Sequence, residues 1–258
     1  MAIEEGPVRV EPMEEGAYWR IILGSSKGNI IDMAMMENLT DVFQKAKKAR
    51  ELRAVCVEGE GKHFSFGASV PEHLPEQVNR MLPGFHELFR VMADSHVVLM
   101  AAVRGQCLGG GLELASFCHR VFATKDAMLG QPEIVLGVFP PMASFILPER
   151  IGRANAEDLC LSGRILQADE AHRMGLVDEI ADDPGVRALE WAKSHLLRHS
   201  AVSVRHGVKA IRANLRARMD SELNEIERIY LDELMKTHDA AEGLQAFLEK
   251  RKPQWKNE

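Results

Sequence analysis

Two glutamates and two glycine-marked turns carry the chemistry that this sequence can offer. Glu113 follows the run Gly109-Gly110-Gly111 and falls in the first turn of a helix. Glu133 stands in Gln131-Pro132-Glu133-Ile134, where a loop leaves an apolar stretch. Three successive glycines let the chain turn tightly and let a ligand approach the backbone with no Cβ in the way. The helix that starts there has free N–H groups at its beginning, which stabilise negative charge. A second strand end, Gly67-Ala68, is able to present the Ala68 N–H. If it converges with the Gly110 N–H on one oxygen, the two form an oxyanion hole, worth roughly 3–4 kcal/mol per donor as charge develops. If the fold also brings the carboxyls together, like charges push their pKa values apart, leaving one ionised and one protonated. Spacing alone does not establish either meeting.

The flanking elements are easier to read. Val97 to Val103 is a continuous apolar run, the pattern of a buried strand, and Leu112, Leu114, Ala115 and Phe117 continue the glycine turn as a helix over 110–119. Val8–Glu11 and Tyr18–Leu23 read as a hairpin joined at Glu14-Glu15-Gly16, followed by a polar loop over 24–29. Residues 33–50 read as a helix whose lysines near the end suit its C-terminus. Ala54–Gly59 is a strand, Lys62–Ser69 a strand that breaks at Gly67, and 71–95 a proline-marked, mobile segment with helical stretches. Arg120–Thr124 is a strand, Met128–Ile134 a loop, 143–162 a helix, Ala168–Arg173 a short helix and Leu176–Ile180 a last strand. Strands alternating with helices imply parallel pairing and an α/β core. From residue 185 onward the chain is nearly all helix, with an amphipathic stripe of Leu223, Ile226, Ile229, Tyr230 and Leu234. That stripe packs either on its own domain or on a neighbouring subunit.

Composition narrows the class. The 258 residues fit one domain, or a core over 1–184 with a helical appendage over 185–258. The formal charge of −6 argues against nucleic acid or an acidic membrane as main partner. Cys56, Cys107, Cys118 and Cys160 are scattered without metal-ligand spacing, the pattern of reduced thiols in a cytoplasmic protein. The acidic N-terminus lacks the apolar core of a signal peptide, and no apolar run is long enough to span a bilayer. None of the ten histidines shows nucleophile or metal spacing. No Walker loop or G-x-G-x-x-G turn is present.

Taken in order, Phe64–Ala68, Gly105–Ala115, Gly130–Glu133, the run Gly163-Arg164…Ala171…Gly175-Leu176-Val177 and Phe247–Pro253 resemble the crotonase (enoyl-CoA hydratase/isomerase) superfamily over almost the whole chain. The resemblance implies an α/β spiral of ββα units with a C-terminal helical trimerisation region, assembled as trimers or dimers of trimers. It implies an acyl-CoA substrate, with coenzyme A part of that substrate and no metal or further cofactor. By motif match, Ala68 and Gly110 hold the thioester oxygen, and Glu113 and Glu133 fall where hydratases carry their two catalytic glutamates. Phe66, Phe247 and Lys250 match CoA-binding positions, and in relatives the last two approach the nucleotide from a neighbouring subunit. Retention of both glutamates favours water addition over isomerisation, and stands against a non-catalytic CoA- or RNA-binding member.

The sequence departs from the common hydratase pattern twice. Ser69-Val70-Pro71-Glu72-His73-Leu74-Pro75 follows the Gly-Ala pair in place of the usual acidic residue, and Gly137–Phe145 replaces a glycine-rich helix start. The first string resembles the branch of the family that hydrates a cyclic conjugated dienoyl-CoA by 1,4 addition. Pro140 and Pro141 hold the second segment rigid, and Met142 and Phe145 are expected to wall the acyl pocket for a flat ring. A straight-chain enoyl-CoA hydratase or an isomerase is the alternative.

Overall fold

The computed structural model describes residues 3–24 and 28–258. Met1, Ala2 and part of the expected 24–29 loop lie outside them. Along the chain come β1 (Ile3–Glu5), β2 (Val8–Met13), β3 (Tyr18–Leu23), α1 (Met33–Lys48), β4 (Ala54–Gly59), α2 (Val78–Asp94), β5 (Val98–Val103) and β6 (Gln106–Leu108). Then follow α3 (Gly110–Phe117), β7 (Arg120–Ala123), β8 (Met128–Gly130), α4 (Pro141–Ile151), α5 (Arg153–Ser162), β9 (Ile165–Gln167), α6 (Ala168–Arg173) and β10 (Glu179–Ile180). The helices α7 (Pro184–His195), α8 (Ala201–Ile211), α9 (Ala213–Arg228) and α10 (His238–Leu248) complete it.

A seven-stranded sheet runs in the order β1-β2-β3-β4-β5-β7-β10, and a second sheet in the order β6-β8-β9. The β2–β3 hairpin is antiparallel, whereas β3, β4, β5, β7 and β10 pair in parallel, as the alternation of strands and helices requires. β5 is buried at every position because both faces are covered. Val55, Val57, Leu99 and Ala101 face the main core with α1 and α2. Their neighbours Ala54, Cys56, Met100 and Ala102 face α7, whose Ala188 and Ala192 let it approach closely. Successive strands then switch sheets. β5 leads through Gly105 into β6 and α3, and β7 leads into β8, a 3₁₀ turn (Pro132–Leu136) and α4. Each such unit puts one strand in the large sheet and the next in the small one before its helix, a spiral of ββα units.

Several local expectations shift. Lys62–Ser69 forms only single-residue bridges, Ser65 to Cys107 and Ala68 to Ile31, because its backbone is shared between two neighbours that diverge. The 71–95 segment contains one helix of 17 residues that accommodates Pro83. The 143–162 helix is two, α4 and α5, divided at Gly152 with φ 76°. The stripe on the last helices packs inward on its own chain: Leu223 and Tyr230 belong to the main core, with Ile226 and Leu234 against it. Ile229 stays 37% exposed. Among the described residues no helix is long and apolar enough to cross a membrane. All four cysteines are unpaired.

Candidate active site

Ser65 prepares the first turn. Its hydroxyl donates to Asn29 O at 2.8 Å and accepts the Gly67 N–H at 3.0 Å. Gly67 O accepts the Ile31 N–H and Ile31 O accepts the Ser69 N–H. These bonds occupy every neighbour of Ala68 and leave its own N–H without a partner among the described residues. Gly67 has φ 105°, a conformation open to glycine, and this aims the Ala68 peptide outward.

The glycine run supplies the second donor. Gly109 adopts φ 50° and ψ −128°, turning the chain from β6 into α3. Its N–H is tied to Gly130 O at 2.9 Å, which joins the ends of β6 and β8. Gly110 is the first residue of α3, so its N–H has no carbonyl one turn behind it. A methyl built on Gly110 would lie 3.1 Å from Ala68 N, and one on Gly67 would lie 3.5 Å from Gly110 N. The two N–H donors therefore flank one small space that only glycine leaves open. Gly111 is needed for a different reason: its Cβ would fall 2.6 Å from Ser65 Cβ.

Gly109 also brings the glutamates together. Its carbonyl accepts the Glu113 N–H at 2.9 Å, and a Cβ on it would come within 2.6 Å of Glu133 Oε1. Glu113 is buried and accepts the Ala143 N–H of α4 at 2.7 Å. Burial raises its pKa from 4.5 to about 7, opposed by backbone N–H groups of Ala143 and Met142 that favour the anion. Glu133, on the 3₁₀ turn, is pushed well above the usual carboxylate range, first by burial and then by the charge of Glu113. Gln131 is fully buried beside it. With its amide nitrogen turned inward, it donates to Glu133 Oε1 and Oε2 at 3.2 and 3.1 Å and to Gly109 O at 3.3 Å. The pair thus holds one proton more readily on Glu133 than on Glu113.

Of these groups, Gly67, Ala68, Gly109 and Glu133 line a cavity of about 570 Å³. Phe66 and Phe247, 43% and 52% exposed, stand at its mouth. Phe247, which the resemblance assigns to CoA binding, lines the cavity of its own chain. α10 lies across the 3₁₀ turn so closely that a Cβ on Gly243 would be 2.2 Å from Leu136 O. Lys250 is exposed in the turn after α10 and does not line the cavity.

The inner wall is Val70, His73, Leu136 and Val138. Met142 and Phe145, expected there, are instead buried in the main core, since the phase of α4 turns them away from the cavity. His73 and Gln131 lie within strings that carry the resemblance, but the sequence reading assigns no role to either side chain. His73 Nδ1 donates to Ser69 O at 2.8 Å, and burial lowers its pKa, so the ring is a neutral polar spot in an apolar wall.

A family model described as enoyl-CoA hydratase/isomerase matches residues 20–258. The chain is 48% identical over 257 residues, covering 100% of both chains, to a cyclohexa-1,5-dienecarbonyl-CoA hydratase from Thauera aromatica. It is 32% identical over 238 residues, 89% of this chain and 92% of the relative, to a probable enoyl-CoA hydratase from Bacillus subtilis (strain 168). Among solved structures, an enoyl-CoA hydratase from Bacillus anthracis superposes with a TM-score of 0.75 at 27% identity, covering 98% of this chain and 100% of that one. One from Mycobacterium avium subsp. paratuberculosis K-10 reaches 0.85 at 24% identity over 98% and 100%, a likeness of fold. By these whole-length matches, the chain belongs to the enoyl-CoA hydratase/isomerase family.

Proposed function

We propose that this protein hydrates a cyclic conjugated acyl-CoA, converting cyclohexa-1,5-diene-1-carbonyl-CoA to 6-hydroxycyclohex-1-ene-1-carbonyl-CoA in anaerobic aromatic (benzoyl-CoA) degradation. The observation that carries this reading is the pairing of two coupled carboxyls with two converging N–H donors, in a chain 48% identical to a hydratase of that name. Glu113 is the base, because the Ala143 N–H favours its anion. It takes a proton from water as the oxygen bonds to the β carbon. Electrons move into the thioester, and the Ala68 and Gly110 N–H groups hold the charge on its oxygen. Glu133, the protonated partner, gives its proton to the far end of the diene, and the remaining double bond settles at the α carbon. One proton is gained by Glu113 and one lost by Glu133, so a transfer between them resets the site. Addition of water leaves the overall oxidation level unchanged, so the reaction calls for no redox cofactor, and coenzyme A enters with the substrate.

The inner wall supports the ring preference. Val70, Leu136 and Val138 offer apolar surface there, with His73 beside them. A ring has fewer torsions to lose there than a linear chain. The ratio of kcat/KM for the cyclic dienoyl-CoA over crotonyl-CoA is expected to exceed ten. A ratio at or below one would return the protein to the straight-chain hydratases.

We further propose a homotrimer or dimer of trimers built through the helices after residue 184, working in the cytoplasm. Val186, Val202 and Ile211 on α7 and α8 are 54%, 64% and 82% exposed, which supports burial in an assembly. Unpaired cysteines suit a reducing compartment. Light scattering at micromolar concentration is expected to give three or six times the 28.8 kDa chain mass. A monomer would count against the assembly.

A further inference from the structure

α9 does not end as an ordinary helix. It passes into a π-helical turn, Ile229–Glu233, a local widening often found at functional sites. Tyr230 on this turn is 1% exposed. Its ring packs edge-on against Phe139, with centroids 5.1 Å apart at 75°. Phe139 adjoins Val138, which lines the cavity, and follows Glu133 in the same segment. The Tyr230 hydroxyl has no hydrogen-bond partner among the described residues. A buried hydroxyl without a partner is costly, and a phenylalanine would fill the same volume without that cost. The chain has only one other tyrosine, Tyr18, which faces the opposite side of the large sheet. Burial raises the Tyr230 pKa, and the charges of Glu133 and Glu113 raise it further, so the group near the two carboxyls is a permanent donor.

Resting on the hydratase reading above, we propose that the Tyr230 hydroxyl makes a third contact to the reacting water. That water donates one hydrogen to Glu113 and the other to Glu133. Of its two lone pairs, one is directed at the β carbon and the other accepts the Tyr230 O–H. Four directed contacts fix the oxygen on its line of attack. The oxygen grows more negative as Glu113 takes its proton and before the new C–O bond is complete. The Tyr230 bond therefore strengthens on the way to the transition state, which lowers the barrier instead of merely improving binding.

Tyr230→Phe tests this on the full-length protein with both cyclic dienoyl-CoA and crotonyl-CoA, since water addition at the same pair is involved in either case. On any thioester that the wild type hydrates, kcat is expected to fall about tenfold, the effect of one hydrogen bond gained in the transition state. KM should stay within about twofold, and the thermal midpoint should match or exceed that of wild type, because no bond within the fold is lost. An active wild type with an unimpaired variant overturns this role and leaves the hydratase reading standing. A fall in kcat accompanied by a lowered midpoint also overturns it, by making the hydroxyl structural. A wild type inactive on both thioesters overturns the hydratase reading and this role with it.

Discussion

Glu113→Gln and Glu133→Gln are each expected to lower hydration by at least about a hundredfold while leaving a folded protein that binds CoA thioesters, the scale of a lost general base or acid. The amide keeps the shape of each side chain and removes its proton chemistry. Near-normal turnover in either variant would remove that residue from the mechanism. The Glu113 variant carries a second signature. In the folded protein Glu113 is raised to about 7 from 4.5. Between those values the folded state binds the proton that the unfolded state has released, so the group's contribution to stability is lost as pH rises through this window. A shift from 4.5 to about 7 corresponds to an order of 3 kcal/mol. The amide has no such dependence. Glu113→Gln should therefore melt higher than wild type at pH 8 and close to it at pH 4, while being nearly inactive at both. Melting curves at the two pH values decide it, and an equal difference at both would refute the raised carboxyl. Because the two carboxyls are coupled, the window belongs to the pair.

Gly109→Ala is expected to lower kcat by about a hundredfold with the fold retained. A β carbon at this position lies 2.6 Å from Glu133 Oε1, so the carboxyl itself must move. The backbone at φ 50°, ψ −128° also disfavours any side chain, a strain on the order of 1–3 kcal/mol. Displacing an acid or base by about 1 Å costs on the order of a hundredfold in rate. The effect should appear in kcat more than in KM, because the cavity mouth at Phe66 and Phe247 is untouched. Circular dichroism and steady-state kinetics on the variant supply the check. Wild-type kcat would show that Glu133 tolerates another position, and would count against its role as the acid.

The linear sequence determined those features that depend on neighbours in the chain. The apolar run ending at Val103, the three glycines and the helix behind them specify a strand, a bare turn and a free N–H at Gly110. The same residues, with Gly67-Ala68 and Gln131-Pro132-Glu133, mark the family, since a close backbone approach tolerates few substitutions. The alternation of strands and helices determined the parallel sheet.

What depended on distance in the chain was decided by the tertiary structure. Glu113 and Glu133 stand in successive ββα units, and they meet only because the Gly109 N–H to Gly130 O bond joins the ends of β6 and β8. The phase of α4 sent Met142 and Phe145 into the core and left Val138 and Leu136 to form the wall, a choice set by packing that hydrophobicity does not reveal. Phe247 reached its own chain's cavity because Gly243 lets α10 lie against the turn that carries Glu133. Tyr230 looked like one apolar position of a helical stripe, and burial of that stripe followed from its pattern. That its hydroxyl would be left unpaired near two carboxyls did not, because hydrogen-bond satisfaction is settled by every element packed around a group and by no local pattern.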